Sequence, residues 1–126
     1  MTESPIEGSP QEFDAEDRKL LTLARASKAR TGAAQGAAVR DGDGRTYAAS
    51  SVGLPSLSLS ALQVAVAMAV SSGAPGIEAA VVVAAADAGA GDAAGDPAGR
   101  AAVADISAGA PVYFVDEAGA RRGAVG

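Results

Sequence analysis

The sequence predicts an α/β fold with helices layered on a mixed β-sheet, and three observations predict it. A two-faced helical segment opens the patterned part of the chain, an Asp-Gly hairpin signal follows, and an unbroken alanine-valine run later reads as a buried central strand. Together with the weaker segments between them they give the order α-β-β-α-β-α-β-β, which argues a layered α/β sheet with mixed pairing. At 126 residues the chain is read as one domain. A chain of that length buries roughly two-thirds of its unfolded surface, so no staple is needed.

The elements follow in order. Residues 1–13 are rich in Pro, Ser and Glu and are expected to be a disordered lead-in to a single domain over 14–126. Asp14 or Asp17 can cap a first helix. Leu20, Leu23, Ala24 and Ala26, with Leu21 beside them, give it an inward face; Arg18, Lys19, Arg25, Lys28 and Arg30 give an outward one. Its last turn is basic, as the helix dipole favours. Two short runs, Gly36 to Arg40 and Arg45 to Ser51, then flank Asp41-Gly42-Asp43-Gly44, a strong hairpin signal.

A second helix is expected to start at a Ser56 or Ser58 cap and to end at Gly73 in the C′ position. Leu59, Leu62, Val66 and Val70 form one stripe, and Val64, Ala65, Met68 and Ala69 fill its flanks. A helix apolar nearly all round is buried on more than one side, the second side being a subunit interface. Residues 78–86 read as a central strand, continuous rather than alternating in hydrophobicity. Residues 87–99 read as an Ala/Gly loop, Arg100 to Ser107 as a short helix, Pro111 to Asp116 as a strand, and Arg121 to Val125 as a last strand after a turn.

Composition removes several functions. There is no cysteine and no histidine, so thiol and imidazole chemistry, disulfides and the usual zinc ligands are excluded. Net charge is −5 and aromatics are 3% of the chain. Binding nucleic acid through its phosphates needs a basic surface, which this chain lacks. No residue between Thr46 and Ile77 is charged, but Pro55, Gly73, Pro75 and Gly76 break that stretch. A membrane span needs about 20 mostly apolar residues in a row. The first ten residues have neither a basic nor an apolar region of a secretory signal, so a cytoplasmic protein is expected.

Several local words, in this order, resemble the small cytidine deaminase family. Gln35-Gly36-Ala37-Ala38-Val39 stands where the family has V-G-A-A-V, and Asp43-Gly44-Arg45-Thr46-Tyr47 matches its D-G-R-x-Y hairpin. Leu57-Ser58-Leu59-Ser60-Ala61-Leu62-Gln63 replaces L-S-x-C-A-E-R, followed by an apolar run closing at Gly73. Pro97-Ala98-Gly99-Arg100-Ala101 falls where P-C-G-x-C opens the third helix. The resemblance spans residues 17–125 and implies a three-layer α/β/α sandwich with a mixed sheet.

What it implies about the site is mostly loss. Zinc deaminases hold Zn²⁺ with one histidine or cysteine and two further cysteines, beside a proton-shuttling glutamate. The resemblance places the first ligand at Ser60, the glutamate at Leu62 and the paired cysteines at Ala98 and Ala101. The ribose-binding N-V-E word falls at Ser51-Val52-Gly53, so its polar pair is lost as well. The expectation is therefore a protein without cofactor or catalytic residue: a pseudoenzyme serving as an interaction or scaffold module. It is expected to form a homodimer or tetramer through the stretch Leu57 to Val70. The alternative is a binding protein keeping a residual pocket for a nucleoside-type small molecule.

Other signals are weaker than their bland readings. Gly89 to Gly95 has a spacing too long for a phosphate loop, and Asp87, Asp92 and Asp96 would repel phosphate. Those aspartates also lack the spacing of a calcium loop. Ser56, Ser58 and Ser60 have no histidine to act as base, and no lysine follows Lys28. The basic residues Arg18, Arg25 and Lys28 mark the surface expected for an acidic protein partner, against the usual reading of a solvated helix face.

Overall fold

The computed structural model describes residues 13–85 and 96–117, and the backbone of 121–125. The expected lead-in up to residue 12, most of the Ala/Gly loop with Asp87 and Asp92, and the side chains of Arg121 and Arg122 lie outside the described residues. Phe13 is a correction to the lead-in. It is 4% exposed, and its ring centroid lies 5.1 Å from that of Tyr113. The folded unit takes in this residue because an aromatic ring contributes too much apolar area to leave in water.

The first helix, α1 (Ala15–Thr31), starts at Asp14, whose carboxylate accepts the Asp17 N–H at 2.8 Å. It stops at Gly32, which takes the left-handed conformation (φ 69°) that ends helices without steric cost. Leu20, Leu21 and Ala24 are buried as the periodicity requires, whereas Ala26 faces solvent. Then come β1 (Gln35–Asp41) and β2 (Thr46–Ser50), paired antiparallel around the expected Asp-Gly turn.

Asp41 holds that turn. Fully buried, it accepts the backbone N–H groups of Asp43 and Arg45, both at 2.9 Å, and the Tyr47 hydroxyl at 3.0 Å. Burial alone would raise its carboxyl, but the Arg45 N–H, the Tyr47 hydroxyl and the Asp43 N–H together hold it below the ordinary 3.8. The Tyr47 phenol is pushed up, by burial first and by Asp41 second. A carboxylate whose pKa is depressed by folding stabilises fully above its unfolded value, and that stability is lost as pH falls through the folded one. Melting curves between about pH 2 and pH 7 are expected to show a loss on acidification below about pH 4. Asp41→Asn should lower stability at neutral pH and flatten that acid slope; an unchanged slope would remove Asp41 as its source.

The chain next makes a short hairpin absent from the expected order, β3 (Val52–Leu54) and β4 (Leu57–Leu59), turning at Pro55-Ser56. This corrects the start of the second helix. Residues 56–59 turn and pair back on 52–54, and α2 (Ala61–Ser71) begins only after Ser60. Ser60 and Gln63 form a reciprocal capping box: Ser60 Oγ accepts the Gln63 N–H at 3.1 Å, and the Ser60 N–H donates to Gln63 Oε1 at 2.9 Å. Gly73, at φ 86°, follows the helix end as expected.

The remaining elements are β5 (Ile77–Ala84), α3 (Pro97–Ile106), β6 (Val112–Val115) and β7 (Arg121–Val125). The third helix starts three residues earlier than the sequence reading, because Asp96 caps it and Pro97 suits its first turn. Strand order is β2-β1-β5-β6-β7, with β5 and β6 parallel and the other neighbours antiparallel. The sheet is thus mixed, and β5, buried at every residue but Glu78, is its centre.

Both faces of the sheet are covered. Ala38, Val81 and Val83 point to α1, where they meet Leu20, Leu21 and Ala24. Ala37, Val39, Ala80 and Val82 point the other way, to Leu62, Ala65, Val66 and Val103 of α2 and α3. This is the three-layer α/β/α sandwich. Arg40 ties two of the layers, bonding Asp17 of α1 at 3.1 Å and Glu78 of β5 at 2.7 Å.

Candidate functional site

Where β1 begins, the β3–β4 hairpin and the start of α2 enclose an open cleft of about 430 Å³. Gln35, Ser51, Gly53, Ser58 and Ser60 line it, and no charged residue does. Three of the six positions assigned from sequence, Ser51, Gly53 and Ser60, are therefore brought together. Their polar groups are already engaged in building the wall. Ser51 Oγ accepts the Gln35 N–H at 3.2 Å, Gln35 Oε1 accepts the Ala61 N–H at 3.1 Å, and Ser60 Oγ serves the cap.

Leu62 is in the same helical turn but is not among the residues that line the cleft. It is 0% exposed and belongs to the core between sheet, α2 and α3. Its neighbours from α3 are not the alanines singled out by the sequence. Ala98 and Ala101 are exposed. Asp96 and Gly99 are the buried residues of that first turn. A Cβ on Gly99 would overlap Asp96 Oδ2 and stand only 2.9 Å from Leu62 Cβ, so α3 meets Leu62 at a glycine. Asp96 Oδ1 accepts the Gly99 N–H at 3.0 Å, while Oδ2 is buried with no hydrogen-bond partner.

Sequence reasoning weighed Asp96 only as a loop carboxylate and did not single out Gly99, yet a signal was present. Asp-Pro is a helix-start pair, and a cap residue and the residue three further on return to one side of the helix. Among the described residues no three Asp, Glu, His or Cys side chains gather as a metal site would require.

The expected basic surface is only partly free. Arg18 and Arg25 are exposed on α1. Lys28 forms an ion pair with Glu117, at the end of β6, and its side chain is 18% exposed. Apolar surface is exposed elsewhere: Leu54 and Leu57 at the β3–β4 turn, and Met68 and Val70 on α2. Among the described residues no helix is long and apolar enough to cross a membrane.

Comparison with known proteins fits this architecture. A solved cytidine deaminase from Burkholderia pseudomallei superposes with a TM-score of 0.71 over 82% of this chain and 87% of that one, at 21% sequence identity. No curated protein sequence matches. A family model described as cytidine deaminase-like matches residues 13–119. That span holds all the elements from α1 to β6, and the chain belongs to the cytidine deaminase-like family.

Proposed function

We propose that this cytidine deaminase-like domain is non-catalytic and serves as a self-associating interaction module. The observation that carries this reading is Leu62, fully buried against Gly99 at the position the family resemblance gives to the proton-shuttling glutamate. A leucine has no proton to transfer. The residues around it do not fit zinc either: Ser60 Oγ is committed to the helix cap, Asp96 is a lone carboxylate, and the chain has no thiol or imidazole. No hydrolytic step through a metal is therefore assigned to this chain. A structural contribution from bound metal is replaced by packing of Leu62, Ala61, Ala65 and Val103.

The interaction face is the apolar surface of Leu54, Leu57, Met68 and Val70. Its partner is a second copy, giving a dimer or tetramer through the segment Leu57 to Val70. Arg18 and Arg25 offer a separate surface to an acidic protein. The test has two arms. Purified protein incubated with zinc and cytidine should retain no stoichiometric metal and release no ammonia. Sedimentation should show an oligomer that the double variant Leu57→Ser, Val70→Asp converts to monomer. Ammonia release dependent on zinc sinks the first half of the reading, and a monomeric parent protein sinks the second.

The cleft supports a second reading, a binding protein for a nucleoside-type ligand, since Ser51 and Ser60 still present hydroxyls to a space of about 430 Å³. A reproducible rise in melting temperature with one member of a nucleoside and base panel would give this reading the lead. No rise across the panel would remove it.

A further inference from the structure

The five-stranded sheet has two edges, and the sequence treats them differently. β7 carries Arg121, Arg122 and Gly123, and its pairing with β6 slips in register between Phe114 and Val115. Charge, glycine and a bulge are the usual defences of an edge strand. β2 has none of them: it holds no charged residue, glycine or proline, and its register with β1 is regular throughout. The Asp41 N–H donates to the Arg45 carbonyl and the Ser51 N–H to the Gln35 carbonyl, so Arg45, Tyr47, Ala49 and Ser51 are the residues that bond across to β1. The N–H and C=O groups of Thr46, Ala48 and Ser50 therefore point away from β1, along the free edge. They have no backbone partner among the described residues.

We propose, resting on the self-association inferred above, that the β2 edge pairs antiparallel with the β2 edge of a second copy and joins the two sheets into one. Centred on Ala48, the pairing sets Ala48 against its own copy and Thr46 against Ser50 of the partner subunit, for about six interchain hydrogen bonds. Arg45 then falls opposite Ser51 of the partner subunit, so no like charges oppose each other along the paired strands. The helical layers decide for a second copy over a foreign peptide. α2 lies across β1 and β2. Continuing the sheet at about 4.8 Å per strand therefore sets α2 about 10 Å from its copy. Helices pack at that distance, and the exposed apolar side of α2 gains a neighbour. α1 is centred over β1, so it stands about 14 Å from its copy and does not clash. A bare peptide would fill the edge and leave α2 uncovered. The two-fold uses each β2 edge once, which closes the assembly there.

The test is amide hydrogen exchange, read residue by residue by NMR on the full chain, together with sedimentation. The outward amides of Thr46, Ala48 and Ser50 should exchange within about tenfold of the inward amides of Tyr47 and Ala49, whereas on a free edge they exchange far faster. Ala48→Pro removes an outward N–H and no bond to β1, a change that edge strands tolerate. It should sediment as a smaller species than the parent. Its Thr46 and Ser50 amides should exchange at least about tenfold faster than in the parent, while Tyr47 and Ala49 keep their protection. Fast outward amides in an oligomeric parent overturn the edge pairing and leave self-association standing; a monomeric parent overturns both. A folded Ala48→Pro that sediments with the parent also overturns the pairing. If that variant fails to fold, the exchange rates of the parent decide.

Discussion

Leu62→Glu is expected to lower folding stability by about 4 kcal/mol at neutral pH, the largest effect of any single change considered. The side chain is 0% exposed, with Val103 in its cluster and no described cation within its core, so a carboxylate there is ionised without a partner. The sign with pH is distinctive. A buried glutamate has its folded pKa raised above its unfolded value of about 4.3. The ionisation part of the penalty is absent below that unfolded value, grows as pH rises above it, and levels off once the folded group ionises, on top of a pH-independent cost of burying the neutral acid. Leu62→Ala, which only leaves a cavity, should cost about 2–4 kcal/mol with no such dependence. Thermal and denaturant melts at several pH values separate the two variants. If Leu62→Glu melts with the parent protein, Leu62 does not sit in the interior and the reading of a filled site fails.

Gly36→Ala should cost about 3 kcal/mol, near the upper end for overpacking. A Cβ on Gly36 would overlap the Ala24 carbonyl oxygen and stand 2.9 Å from Lys28 Cβ, so the nearest obstacle is helix backbone, which cannot rotate aside. Relief requires α1 to lift from β1, which would loosen the contact of Leu20, Leu21 and Ala24 with the sheet. Gly53→Ala is the control. Nothing lies within 4 Å of its added Cβ, and its stability should change by no more than about 0.5 kcal/mol. Equal melting temperatures for the two variants would show that α1 does not approach the sheet so closely.

What the sequence disclosed, and what it hid, both have physical reasons. The valine run of β5 and the Asp-Gly turn were legible because their signals are local and strong. The β3–β4 hairpin was hidden because Ser56 and Ser58 suit a helix cap as well as a turn, and only the Ser60-Gln63 pair decides between them. At the site, the structure brings Ser51, Gly53 and Ser60, which the resemblance singled out from separate words, to the wall of one cleft. Ala98 and Ala101 were preferred to Asp96 and Gly99 because an aligned word carries no direction, whereas a cap fixes which residues of a first turn face inward. Lys28 was read as free because Glu117, its partner, is distant in sequence.

The capping box at Ser60 also limits which side chains the start of α2 accepts. A cysteine at position 60 would lose the bond from the Gln63 N–H to Ser60 Oγ, though not the one from its own N–H to Gln63 Oε1, and cost about 1 kcal/mol of helix stability. A glutamate at position 62 would cost more still, because it enters the apolar core between the sheet, α2 and α3. Each of the two substitutions alone therefore lowers the stability of the start of α2. The start of α2 is thus doubly pinned, by a cap that needs an oxygen at position 60 and by a core that needs an apolar side chain at position 62.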